Sequence, residues 1–195
     1  MCVHGEKKTF YGVFVILVLL TIVFIIVSLP IPWLGGKVED EFGSYKYKIT
    51  LSNVKVKGNG TLWESKETIS LSELCGEAPF NLTSCGIDSS TSFVIAFSVI
   101  GLILTVGTWL AVLIELNCGL ASFRGLFNAV SYFVILFQTM VYITSFAIYT
   151  AWTNDIRKNG IHFHAGWALY LVGMIFSFFV TSAALAGTKI DDPGC

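Results

Sequence analysis

The sequence predicts an all-α membrane protein: a four-transmembrane helix bundle that carries a small antiparallel β-sheet in its first extracellular loop. Three observations carry this expectation. The 195-residue chain is 54% hydrophobic but only 13% charged, about half the charge of an ordinary soluble domain. Four runs free of Asp, Glu, Lys and Arg lie between Lys8 and Lys37, Asp88 and Glu115, Arg124 and Asp155, and Lys158 and Lys189. Each is long enough for a spanning helix of roughly 20 residues. Between the first and second runs, polar and apolar residues alternate with the period of a half-buried strand. The net charge of −1 supplies no field for nucleic acid, so the expected first partner is the lipid bilayer.

The first span is expected at about 10–31. Its apolar stretch exceeds the 7–15 residues of a cleavable signal and no small-residue cleavage site follows, so it reads as a retained signal-anchor. Pro30 and Pro32 end it, because neither can donate an N–H and each restricts the residue before it. Trp33 follows at the depth where amphipathic rings collect. Extracellular loop 1 covers about 32–91, span two 92–114, a cytoplasmic turn 115–125 and span three 126–152. Extracellular loop 2 covers 153–164, span four about 165–187, and the tail 188–195.

In the long loop, Tyr45, Tyr47, Ile49 and Leu51 take one face of a strand, and Lys46, Lys48, Thr50 and Ser52 the other. Val54 and Val56 alternate with Lys55 and Lys57 on the opposite parity, which a bulge or turn near Ser52-Asn53 restores. Gly58-Asn59-Gly60 reads as a hairpin tip, since type I′ turns need positive φ at both central residues. Thr61, Leu62 and Trp63 then start a return strand.

Orientation rests on the sequons and cysteines. Asn59-Gly60-Thr61 and Asn81-Leu82-Thr83 are glycosylation acceptors, and both fall in the long loop. Cys75 and Cys85 lie in that loop, whereas Cys2, Cys118 and Cys195 fall on the opposite side. An exterior pair forms a disulfide or remains two thiols, while interior thiols stay reduced. Both termini are therefore expected in the cytoplasm, with the plasma membrane as the default location.

Candidate sites each have a plain alternative. Trp33 and Trp63, with Leu62, are expected to anchor the sheet, against a role as ordinary interfacial aromatics. His162 and His164 have metal-ligand spacing without an obvious third ligand, so no metal site is expected. Gln138 is the most polar residue within span three and is expected to make a helix–helix hydrogen bond. Gly166 and Gly173 share a face of span four, and Ala183 and Gly187 have small-xxx-small spacing, so all four suit close helix approach. Cys2 and Cys118 are juxtamembrane candidates for palmitoylation. The lysines at 46, 48, 55 and 57 form either an anion-favouring stripe or a solvated face that resists edge pairing. No span holds an acid, base or metal cluster, and no catalytic motif is present, so neither enzyme activity nor a cofactor is expected.

The four-span plan, the β-rich first loop and the residues Trp33, Gly60-Thr61-Leu62-Trp63, Cys75 and Cys85 together resemble the claudin and peripheral-myelin-protein superfamily. Gly166-Trp167-Ala168-Leu169-Tyr170 is also similar to claudin fourth helices. The resemblance implies that Trp63 is the family's loop tryptophan and that Cys75 and Cys85 form its loop disulfide. Lys66 stands where claudins usually place the first of these cysteines. The tail, Asp192-Pro193-Gly194-Cys195, departs from the hydrophobic PDZ-binding ending of many claudins. Thr61-Leu62-Trp63-x-x-Lys66-x-Thr68 also resembles the core of the amastin signature of kinetoplastid surface glycoproteins. The two flanking cysteines of that signature are Asn59 and Ile69 here, and its glycine is Glu64. The claudin likeness implies adhesion or barrier formation through contacts of the outer loop with its own kind. The alternatives are an auxiliary subunit of a channel or receptor, and an amastin-like coat protein.

Overall fold

The computed structural model describes residues 3–40, 43–60, 66–70, 86–118, 124–157 and 161–190. Among these residues the elements run α1 (Val3–Ser28), β1 (Leu34–Asp40), β2 (Gly43–Ile49), β3 (Asn53–Gly60), β4 (Lys66–Ser70), α2 (Gly86–Cys118), α3 (Arg124–Arg157), β5 (Ile161–Phe163) and α4 (Ala165–Ile190).

Three segments are long and apolar enough to cross a membrane: Ser90–Leu110 in α2, Phe133–Ala151 in α3 and Ala165–Ala183 in α4. The described apolar part of α1, Gly12–Ser28, is shorter. Large apolar side chains cover the outward positions, and Ile103 and Phe133 are about two-thirds exposed (66% and 68%). Such patches need a partner or a hydrocarbon solvent, which is compatible with a membrane protein.

The end of α1 follows from its prolines. In a continuing helix, the carbonyl of Ile26 would be bonded by residue 30 and that of Ser28 by residue 32. Both are prolines and have no N–H. Leu29 N–H donates instead to the Ile26 carbonyl at 3.4 Å, and the Trp33 indole N–H donates to the Ser28 carbonyl at 2.8 Å. The helix thus stops at Ser28, just ahead of the two prolines expected to end it. By contrast α2, α3 and α4 run past the apolar stretches that define the expected spans.

The five strands form one antiparallel sheet in the order β4-β3-β2-β1-β5. Four strands lie between α1 and α2, but β5 comes from the connection between α3 and α4. The sheet is therefore not confined to the first loop. Hairpin β2–β3 turns through Leu51-Ser52, with Ile49 opposite Val54. A two-residue turn reverses parity, so Tyr47, Ile49, Val54 and Val56 share a face. These turn residues are not the Gly/Asn types that favour primed turns; the Thr50 side chain stands in. Its hydroxyl donates to the Asn53 carbonyl at 2.9 Å and accepts from the Asn53 N–H at 2.9 Å.

Gly58-Asn59-Gly60 is not a hairpin tip. The three residues end β3, opposite Tyr45, Ser44 and Gly43 of β2. Extension of the β2–β3 ladder to Gly60 leaves no tight turn at these three residues, and Lys66 of β4 lies opposite Lys57. Thr61, Leu62 and Trp63 lie outside the described residues.

The chain divides into two compact units. The first consists of the described parts of Met1–Ile25, Ser98–Ile143 and Val172–Cys195. Its core holds Phe14, Val18, Ile135 and Val180, with Leu17, Ile22, Trp109 and Ala183 packed against them. Hydroxyls join its helices. Thr139 meets the Ser177 and Thr181 hydroxyls at 2.8 Å each, and Thr105 meets the Tyr142 hydroxyl at 3.0 Å. The second unit, within Ile26–Phe97 and Thr144–Leu171, contains the sheet.

Candidate functional site

The sheet is seated on helix ends through Trp33, which is completely buried. Its N–H donates to the Ile49 carbonyl and its own carbonyl accepts from His164 N–H, both at 2.8 Å. The backbone of Trp33 thus extends β1 and is held from both sides. Its ring meets Tyr149 edge-on at 4.8 Å and Tyr170 at 5.0 Å, geometries that aromatic quadrupoles favour. Phe146 links Tyr170 to Trp167, and Phe163 of β5 stacks on Trp167 at 4.4 Å. An aromatic series therefore runs from the start of β1 to β5. Trp33 is thus buried among aromatic side chains where the sheet meets the helix ends.

Gly166 makes this seat possible. A Cβ there would lie 2.5 Å from Trp33 Cδ1 and 2.6 Å from the Ile31 carbonyl oxygen. Its N–H donates to the Pro32 carbonyl at 2.9 Å, so α4 begins against the proline segment. Gly173, in the other unit, faces Ile25, whose Cδ1 would be 2.8 Å from an added Cβ. Ala183 packs against the Phe14–Val180 cluster. Gly187 lies in the last turns of α4.

The two faces of the sheet differ. Leu34, Ile49, Val54 and Ile161 are buried. On the opposite face, register places Lys37 opposite Lys46, Lys46 opposite Lys57, and Lys57 opposite Lys66. Four lysine positions therefore form one row across four strands. Lys48 opposite Lys55 forms a second row, which continues through Gly35 to His162. Lys37, Lys46, Lys48, Lys55, Lys57 and His162 are exposed. Like charges directly opposite one another destabilise a sheet. Among the described residues β2 and β3 are interior strands and β4 and β5 the edges, so the lysines of β2 and β3 form a solvated face away from the sheet edges.

His164 is exposed, and its ring passes close over Gly35, where an added Cβ would lie 2.6 Å from Cδ2. Among the described residues no three His, Cys, Asp or Glu side chains gather as metal ligands. Gln138 is fully buried, and neither its amide nitrogen nor its oxygen finds a partner among the described residues. Among the described residues, Gln138 does not make the expected helix–helix hydrogen bond. Its neighbour Thr139 bonds across to Ser177 and Thr181 instead.

Asn59 sits in β3 opposite Ser44, and Cys118 is the last residue of α2. Cys2, Cys75, Asn81 and Cys85 lie outside the described residues, as do Leu62 and Trp63. Sequence reasoning missed β5 and the Tyr149–Tyr170 seat. The alternation of Ile161 and Phe163 with His162 and His164 is the signal for β5, but three residues are too short for a period to register. No protein-family model matches the chain, and no curated protein matches it.

Proposed function

We propose that the chain is a non-enzymatic, multi-pass glycoprotein of the plasma membrane, claudin-like in plan, acting in cell adhesion or barrier formation. In this reading α1 joins the three long apolar helices in crossing the bilayer, and both termini are cytoplasmic. The sheet is extracellular, with glycans on Asn59 and Asn81 and a disulfide between Cys75 and Cys85. It contacts another copy, or another membrane protein.

One observation carries the reading: strands from two separate interhelical connections form a single sheet, fixed to helix ends by a fully buried tryptophan. Such a sheet holds its polar face in a fixed place, as recognition without chemistry requires. The test is expression of a tagged chain in cells, with surface crosslinking and imaging. Enrichment where cells meet, with copies crosslinked through the sheet, is the expected result. Stoichiometric links to one larger membrane protein without such enrichment would make it an auxiliary subunit. Uniform surface display would favour an amastin-like coat.

A further inference from the structure

We propose that the lysine face of the sheet binds a linear sulfated polysaccharide along the Lys37–Lys46–Lys57–Lys66 row. The row crosses four adjacent strands in direct register. Neighbouring strands lie about 4.8 Å apart, so the row spans roughly 14 Å in a straight line. Lys48 and Lys55 lie two residues further along their strands, roughly 7 Å away. A chain with closely repeated fixed anions matches such a line.

The composition of the face selects among polyanions. At the alternate strand positions of this face (35, 37, 39, 44, 46, 48, 53, 55, 57, 59, 66, 68, 70 and 162) there is no Phe, Tyr or Trp. Stacking platforms for single-stranded nucleic acid need such rings. None of these positions holds the large apolar residues that insert into a bilayer interface. No arginine stands among them either. Lysine meets an oxyanion as a mobile point charge, without the bidentate fork of arginine. Glu39 is the single acidic position among them. It lies at the margin, in the row opposite Ser44. What remains is recognition by charge spacing alone, which suits sulfates on a polysaccharide. The choice of polysaccharide rests on the proposed extracellular placement of the sheet.

The test uses the full chain in neutral-lipid nanodiscs and a heparin-derived oligosaccharide, with affinity measured across salt concentrations. Binding is expected, with log K falling linearly with log salt as counterions are released. The double variant Lys46→Gln/Lys57→Gln is expected to weaken binding about tenfold near 0.1 M salt and to lower the slope by about two. Its Tm is expected to equal or exceed that of the parent, because it removes like-charge pairs from interior strands. A chemically desulfated chain of the same length is expected not to bind. Undiminished binding by the double variant overturns the proposal. So does equal or tighter binding of poly-dT or of anionic-lipid vesicles, which would mark a generic polyanion or lipid surface. Failure here with enrichment at cell contacts intact removes only this inference; glycan binding without such enrichment removes only the adhesive reading.

Discussion

The indole N–H of Trp33 donates to the carbonyl of Ser28, 2.8 Å away, at the position where Pro32 cannot donate. One side chain therefore caps α1 and, through its backbone, joins β2 to β5. Trp33→Phe keeps most of the ring but removes this hydrogen bond, and should destabilise the protein by about 0.5–1.5 kcal/mol. Trp33→Ala adds a cavity and should cost about 3–5 kcal/mol. Thermal unfolding in detergent micelles reads both; a parental Tm for Trp33→Phe would refute the capping role.

Gly166→Ala should destabilise by about 1–3 kcal/mol, because the new methyl meets backbone and a buried ring that cannot withdraw. Gly12→Ala is the control, with nothing within 4 Å of the added Cβ. It should leave stability unchanged or raise it by up to about 1 kcal/mol through helix propensity. Equal Tm shifts for the two variants would show that the Trp33 seat is not tight.

Thr50→Val keeps the shape but removes the hydroxyl that both donates to and accepts from Asn53. A loss of about 1–2 kcal/mol is expected, with faster amide exchange at Asn53. Thr50→Ser should preserve both. Unchanged exchange at Asn53 in Thr50→Val would mean that the Leu51-Ser52 turn holds by backbone geometry alone.

Gln138→Leu should raise Tm, because it removes a fully buried amide without partners among the described residues and keeps similar volume. Thr139→Val should lower it, by about 0.6 kcal/mol for each interhelical bond lost. Destabilisation by Gln138→Leu would reveal an amide held by groups outside the described residues.

Legibility in the sequence tracked the range of the cause. The end of α1 follows from two prolines and is local. So is the parity flip between Ile49 and Val54, which demands a two-residue turn or a bulge. The Asn59-Gly60 turn is equally clear locally, yet the β2 ladder overrode it by pairing Gly58, Asn59 and Gly60 with Tyr45, Ser44 and Gly43. The lysines at 46, 48, 55 and 57 read as a stripe. Lys37 and Lys66 join the row only through a register that no single strand encodes. The partners of Trp33, Tyr149 and Tyr170, lie more than a hundred positions along the chain, beyond any periodic signal.

The late strand β5 bears on the order in which the chain can be finished. Four strands are available once Ser70 has been made, but the Leu34 edge of β1 closes only when Ile161–Phe163 arrives. At 5–20 residues per second that interval lasts roughly 5–20 s. Throughout it, β1 presents unpaired N–H and C=O groups to any other extended chain. Nascent copies on one ribosome cluster are thus exposed to mutual strand exchange until Ile161–Phe163 has been made. Truncation before residue 161 should leave the Leu34–Gly36 edge of β1 open and the chain prone to self-association.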